Sequence, residues 1–243
     1  MRQAMVFAAG LGTRLRPLTD TMPKALVRVG GEPLLRHVLL RLKEAGFERV
    51  VVNVHHFPDQ IISYLHGQDD LGLDIRISDE RDGLLETGGG IKKALPLFDP
   101  ESPILIHNVD ILSNADLATL YDQAERNPCG GTLLVSQRQT KRYLLFDDDM
   151  RLRGWTNIET GEVRGAQAPN RLAFSGIHVL TPQAFPYFAD EEDRFGIIDF
   201  YLRHCGDVAF RGTTQDNLRL LDVGKLNSLD EAETLLKELK QAT

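Results

Sequence analysis

The residues with the clearest chemical content are Gly10-Leu11-Gly12-Thr13-Arg14-Leu15-Arg16-Pro17 near the start, Lys24 soon after, and two carboxylates far downstream, Asp110 and Asp222. The first run follows Ala4-Met5-Val6-Phe7-Ala8-Ala9, whose small and apolar residues read as a short buried strand. At Gly10 this pattern breaks into a backbone turn with cations close behind. Glycines let main-chain N–H groups come close to an anion, and successive N–H groups form an anion-binding concavity. Arg14, Arg16 and Lys24 add charge-assisted donors that suit phosphate oxygens. The run is not a Walker A sequence, since no Gly-Lys-Ser/Thr follows. It is not the dinucleotide fingerprint either, since no third glycine stands where Gly-x-Gly-x-x-Gly needs it. A triphosphate-binding loop is the expectation, and a strand-to-helix connection with exposed basic residues is the plainer alternative.

Asp110 closes Pro103-Ile104-Leu105-Ile106-His107-Asn108-Val109, which reads as a buried strand. Ligands of open α/β sheets sit outside the carboxyl ends of strands, so Asp110 is placed either to hold a hard cation or to cap the next segment. Mg²⁺ bound to phosphates takes only one or two protein carboxylates. Leu218–Leu221 reads as a late strand running into Asp222-Val223-Gly224. Upstream of both carboxylates lies Leu85-Glu86-Thr87-Gly88-Gly89-Gly90-Ile91. Its glycines precede a helical pattern at Ile91, Ala94 and Leu95, so bare N–H groups are expected at a helix N-terminus. Such a place suits an anion, a flat base or a sugar, with a flexible surface loop as the alternative.

Three other clusters read as structural. His55 and His56 are neighbours at a strand end and point to opposite faces, which does not suit a metal pair. Asp147-Asp148-Asp149 reads as a solvated turn between antiparallel strands. Asp199, on a short helix from Ile197 to His204, reads as a carboxylate facing water rather than a sugar contact.

Gly10 to Thr19 with Pro23-Lys24 resembles the opening motif of the sugar-1-phosphate nucleotidyltransferases. Asn108-Val109-Asp110 is similar to that family's metal motif, Phe174-Ser175-Gly176-Ile177 to its sugar-pocket segment, and Asp222-Val223-Gly224 to its second metal motif. The resemblance runs over nearly the whole chain. Val109 replaces the usual Gly or Ala, and Lys225 replaces the usual Thr. The resemblance implies nucleotide contacts from Ala8, Ala9, Gly10, Gly12, Thr13, Gly88 and Asn108, and catalytic roles for Arg14 and Lys24. It implies Mg²⁺ on Asp110 and Asp222, with Glu86 near the sugar hydroxyls or the ribose and Gly176 on the sugar side; Lys141, Arg142 and Asn157 are further sugar-side candidates. Glu86-Thr87-Gly88-Gly89-Gly90 is nearer in form to the N-acetylmuramate 1-phosphate uridylyltransferases than to the Gly-Thr-Ala of glucose and deoxysugar enzymes. The implied partners are therefore a nucleoside triphosphate and a sugar 1-phosphate, UTP with N-acetylmuramate 1-phosphate first. GTP with mannose or heptose 1-phosphate is the rival pair, and a non-catalytic nucleotide-sugar sensor the rival class.

The elements that must position these residues follow from periodicity. A helix is expected from Pro33 to Ala45, stopped by Gly46, then a buried strand Arg49–Val54; strand, helix and strand make a βαβ unit. A further helix, Leu226 to Lys240, closes the chain. The implied fold is α/β, a Rossmann-like three-layer sandwich with a mostly parallel central sheet. A single domain over residues 1–243 is expected, with a small antiparallel lid or sugar-side insertion at about 140–170. The 243 residues allow a large core, and 42% hydrophobic with 26% charged residues is ordinary for a globular chain. A net charge of −7 without a face-sized basic cluster argues against nucleic-acid binding. No apolar run has the length of a membrane span, and Cys129 and Cys205 have neither metal nor redox spacing. A cytoplasmic monomer or homodimer is expected.

Overall fold

The computed structural model describes residues 1–127 and 129–241. The chain falls into two compact units: Met1–Leu84 with His107–Ala115 and Arg219–Thr243, and Leu85–Ile106 with Asp116–Leu218.

The first unit begins with β1 (Arg2–Phe7), whose interior positions are buried. A loop with three single 3₁₀ turns, at Thr13–Leu15, Leu18–Asp20 and Lys24–Leu26, leads to the hairpin β2 (Arg28–Val29) and β3 (Glu32–Pro33). Gly30 and Gly31 both have positive φ, 59° and 87°, as a tight hairpin turn requires. Helix α1 (Leu34–Glu44) buries Leu34, Leu35, Val38, Leu39 and Leu42 on the stripe expected from their spacing, and Gly46 ends it at φ 80°. Then come β4 (Phe47–Val54), α2 (Pro58–His66) and β5 (Asp74–Asp79). β4 pairs in parallel with β1 on one side and β5 on the other, Val52 standing opposite Val6 and Ile77. The apolar run Val50–Val52 is fully buried, as a parallel strand covered on both faces should be.

The chain next enters the second unit with α3 (Glu86–Ala94) and β6 (Ile104–Asn108), whose last residues return to the first unit. There Val109 N–H donates to the Phe7 carbonyl at 3.2 Å, so the strand end lies beside the end of β1. β7 (Ile111–Ser113) follows directly.

The second unit continues with α4 (Leu117–Arg126), capped by the Asp116 carboxylate on Thr119 N–H at 2.9 Å, and then β8 (Gly131–Ser136). β9 (Arg142–Phe146), β10 (Leu152–Asn157) and β11 (Glu162–Gly165) form an antiparallel meander. This meander spans part of the 140–170 region and lies within a unit that extends well beyond it. β12 (Asn170–Leu180) pairs antiparallel with β9 and with β8, and β13 (Phe210–Thr213) runs parallel to β8. α5 (Ile197–His204) precedes β13 and packs on β10. The chain then rejoins the first unit with β14 (Leu220–Asp222), antiparallel to β7, and α6 (Ser228–Gln241), which packs on β14 and buries Ala232 and Leu235. The class is α/β, as the periodicity indicates. No helix among the described residues is long and apolar enough to cross a membrane.

Candidate active site

The loop after β1 is shaped by Gly12. Its φ of 63° is left-handed, and a Cβ there would lie 2.8 Å from the Thr19 methyl and 3.0 Å from Lys24 Cβ. Thr19 Oγ1 donates to the Gly12 carbonyl at 2.8 Å, and Leu15 N–H donates to the same oxygen at 2.8 Å. Leu15 is wholly buried and anchors the 3₁₀ turn, so Arg14 beside it projects outward. Gly10, Leu11, Thr13 and Arg14 are all exposed, and a Cβ on Gly10 would meet nothing within 4 Å. Gly10 therefore leaves room beside the backbone, whereas Gly12 is required by the fold of the loop itself. Ala8 and Ala9 are buried under it.

Lys24 opens the third 3₁₀ turn, reached through the extended Pro23. Its ammonium forms an ion pair with Asp110 Oδ2, and both side chains are largely out of water, 11% and 18% exposed. Arg14 Nη2 lies 4.0 Å from Asp222 Oδ2, with both side chains more than half or half exposed. The two pairs stand side by side because their backbones are stitched together: Asp222 is opposite Ile111 in the β14–β7 ladder, and Val223 N–H donates to the Asp110 carbonyl at 2.8 Å. Gly224 completes the arrangement. A Cβ there would lie 2.6 Å from Asp222 Oδ1 and 2.7 Å from Arg14 Nη2, so only glycine lets the guanidinium rest against that turn. Sequence spacing alone did not mark Gly224 as a site residue, although the Asp-Val-Gly run contains it.

Residues 14, 24, 110 and 222 thus converge in one unit as an alternating set of cations and carboxylates. A pair such as Lys24–Asp110 gains little stability once desolvation is counted, so its retention points to a use. Behind it lies His107, fully buried, its Nδ1 2.8 Å from the Asn108 carbonyl. Burial depresses its pKa to about 4, so the ring is neutral near pH 7 and adds no charge beside Asp110. Asn108 is half-buried next to it. Asp110 and Asp222 offer hard oxygen ligands from adjacent backbone, a donor set that fits Mg²⁺ completed by phosphate oxygens and water. Among the described residues no cluster of three or more His, Cys, Asp or Glu side chains competes for that role.

One expectation in this unit needs correction. The Ala8 N–H does not face a ligand, because it donates to Asn53 Oδ1 at 2.8 Å. Asn53 and its buried partner Glu80 were not singled out in the sequence, where an Asn inside Val50-Val51-Val52-Asn53-Val54 was the available signal. His55 Nδ1 meets the Glu80 carbonyl at 2.7 Å and His56 Nε2 the Thr19 carbonyl at 3.2 Å, so the adjacent histidines serve separate backbone groups.

In the second unit the glycine run is not ahead of a helix but inside one. α3 starts at Glu86, and Gly88, Gly89 and Gly90 are buried in its first turns. The expectation of bare N–H groups is overturned: Gly88 and Gly89 N–H both point to the Phe195 carbonyl, at 2.8 and 3.2 Å. A Cβ on Gly88 would lie 2.2 Å from the Phe195 ring, and one on Gly89 2.1 Å from the Asp193 carbonyl. The glycines let the 193–196 segment lie against the helix. Ile197 N–H donates to Thr87 Oγ1 at 2.9 Å, and Arg194 Nε lies 3.1 Å from Glu86 Oε1. Glu86, with φ 64°, keeps its carboxylate partly exposed.

Gly176 occupies a β-bulge, where β12 shifts register between Phe174 and His178. Its φ of 77° explains the glycine without any ligand. Asn157 ends β10 and accepts the Glu159 N–H at 3.0 Å, forming a turn. Lys141 pairs with Glu159 at 2.7 Å, and Arg142 is exposed on β9. Asp199 does not simply face water, since Arg164 pairs with it while stacking 4.1 Å over Trp155. Asp147 is the turn residue expected, accepting Arg151 N–H at 2.8 Å and Arg153 Nε at 2.8 Å.

The sequence profile of the nucleotidyl transferase family matches residues 3–148. The N-acetylmuramate α-1-phosphate uridylyltransferase of Caulobacter vibrioides is 37% identical over 242 residues, which span 97% of each chain. The enzyme of the same name from Neisseria meningitidis is 37% identical over 185 residues, 75% of this chain and 77% of that one. Among solved structures, the inositol-1-phosphate CTP transferase of T. maritima superposes with a TM-score of 0.79 at 18% identity, covering 99% of this chain and 96% of that one.

Proposed function

Because this chain belongs to the nucleotidyl transferase family, we propose that it joins UTP to N-acetylmuramate 1-phosphate, releasing pyrophosphate and forming the nucleotide sugar. The chain is an enzyme of the sugar-1-phosphate nucleotidyltransferase class. The uridylyltransferase reading is supported by two relatives of that name matched over 97% and 77% of their own lengths, whereas the mannose-1-phosphate guanylyltransferase of Mycobacterium tuberculosis matches over 54% of this chain and 36% of its own.

The observation that carries the chemistry is the set of two cation–carboxylate pairs on adjacent backbone, Lys24–Asp110 and Arg14–Asp222. A sugar 1-phosphate is already an anion at neutral pH, so its oxygen attacks the α-phosphorus without a general base. The demand on the site is to bring two polyanions together in line and to neutralise the charge that gathers there. Lys24, largely out of water, presents a fixed ammonium to the phosphate under attack. Arg14, exposed on the loop, binds the departing pyrophosphate oxygens and can follow them outward. Gly10, Gly12 and Thr13 set the course of the loop main chain past the triphosphate. Asp110 and Asp222 would hold Mg²⁺, which would supply Lewis-acid neutralisation of phosphate charge. Glu86, its carboxylate partly exposed, is the group we assign to sugar hydroxyls, with Asn157 a further sugar-side residue to be tested. We place the reaction in a reducing compartment, the cytoplasm, on the ground that Cys129 and Cys205 do not form a disulfide framework.

The test is pyrophosphate release from a matrix of UTP, GTP, dTTP and CTP against N-acetylmuramate, N-acetylglucosamine, glucose and mannose 1-phosphates. Release with UTP and N-acetylmuramate 1-phosphate at the highest kcat/KM is expected. Preference for GTP with mannose 1-phosphate overturns the substrate assignment, and binding without release for any pair overturns the catalytic one.

A further inference from the structure

We propose that Asn53 is a positioning residue for the phosphate loop and that Glu80 holds it in place, the relay Glu80–Asn53–Ala8 fixing where the main chain leaves β1. The inference rests on the reading of the Gly10–Arg14 loop as the triphosphate site.

β1 ends at Phe7, opposite Asn53 in the parallel ladder. The next N–H, that of Ala8, is taken not by a backbone carbonyl but by Asn53 Oδ1 at 2.8 Å. The other end of the same amide, Nδ2, donates to Glu80 Oε1 at 2.7 Å. A backbone N–H only donates and a carboxylate only accepts, so these two partners leave one orientation for the amide. Glu80 is in turn fixed by its main chain: its N–H donates to the Val54 carbonyl at 2.7 Å, and its carbonyl meets His55 Nδ1 at 2.7 Å.

Both side chains are out of water, Glu80 at 0% and Asn53 at 2% exposure. Taking a carboxylate and an amide into a parallel sheet costs free energy that an aliphatic pair of like volume would not. What the polar pair supplies is direction. It turns the Ala8 amide inward, keeps Ala9 under the loop, and brings the chain to the surface at Gly10. The loop is then held at its entry by Asn53 and at its turn by Thr19 on the Gly12 carbonyl. Ligand-binding main chain misplaced by about 1 Å can cost on the order of a hundredfold in rate, which is the scale of effect such a relay controls.

The test measures KM for UTP and for the sugar phosphate separately, with Tm, on the full chain. Asn53→Asp keeps an acceptor for Ala8 but sets a second carboxylate against Glu80. It is expected to raise KM for UTP about tenfold or more while KM for the sugar phosphate stays within about twofold. Adding Glu80→Gln places an amide donor against the new carboxylate, restoring the hydrogen bond with its polarity reversed, and is expected to return KM for UTP to within about threefold of the original. If Asn53→Asp does not fold, Asn53→Ser, too short to span both partners, is expected to give the same UTP-selective rise. A fall in Tm with both KM values unchanged, an equal rise in both, or no restoration in the double variant overturns the relay. Arg14→Ala is assayed alongside: an unchanged kcat there removes the phosphate-loop reading itself, and the relay inference with it.

Discussion

Gly12 and Gly88 both stand in glycine-rich runs that sequence spacing marks for an anion, and the structure uses them in opposite ways. Around Gly12 the glycine gives the loop a left-handed residue, and the exposed Gly10, Thr13 and Arg14 face outward. Around Gly88 the freedom of glycine is spent on protein: its N–H and the space of its missing side chain are both filled by Phe195. The difference lies in the neighbours. A charged residue follows Gly12 within two positions, and two carboxylates, one from between β6 and β7 and one from the end of β14, arrive to meet it. A buried aromatic and a main-chain carbonyl meet Gly88. A glycine run therefore predicts close approach of something, and the partner decides whether that something is a ligand or the chain itself.

If the first region is chemical and the second is packing, substitutions should separate activity from stability. Asp110→Asn removes a proposed metal ligand and is expected to lower kcat about a thousandfold or more, with the folded state retained by circular dichroism. A variant within tenfold of the parent would move the chemistry away from Asp110.

His107 tests the interior behind that carboxylate through pH. Its folded pKa of about 4 lies below the ordinary 6.5. The unfolded chain therefore binds a proton first as pH falls. The contribution is neutral above pH 6.5 and becomes a loss between there and about pH 4, amounting to about 3 kcal/mol. His107→Gln should flatten the stability curve over that window relative to the parent, measured by urea unfolding at several pH values. Parallel curves would mean that the ring does not stay neutral.

Gly88→Ala puts a methyl 2.2 Å from the Phe195 ring and is expected to destabilise by about 3 kcal/mol, read as a lower urea midpoint. Unchanged stability with a raised KM would return Gly88 to the ligand side and erase the contrast. Arg14→Ala is expected to cost about a hundredfold in kcat with an unchanged melting temperature, because the side chain is exposed and its partner is a half-exposed carboxylate.

Each of Arg14, Lys24, Asp110 and Asp222 was visible in sequence as a charge at a strand end or in a loop, where periodicity breaks. What joined them into one set was the resemblance of their motifs to one family, since spacing alone does not bring residues so far apart together. The stripe of α1 and the buried run of β4 were legible from periodicity itself. The start of α3 was not, since three glycines are poor helix formers and only the docking of Phe195 holds them in helical form. β7 and β13 escaped because short strands carry little pattern. Asn53 and Glu80 escaped for another reason: a polar residue in an apolar strand declares itself only when its partner, distant in sequence, is seen beside it.

Under the proposed chemistry, Asp110 and Asp222 serve one metal ion between them. The direct measurement is the Mg²⁺ dependence of pyrophosphate release at saturating UTP and sugar phosphate, compared between the parent and Asp222→Asn. The account predicts that the half-saturating Mg²⁺ concentration rises about tenfold or more in the variant, since one of two protein ligands has lost its charge. An unchanged Mg²⁺ dependence, with only the maximal rate altered, would contradict it.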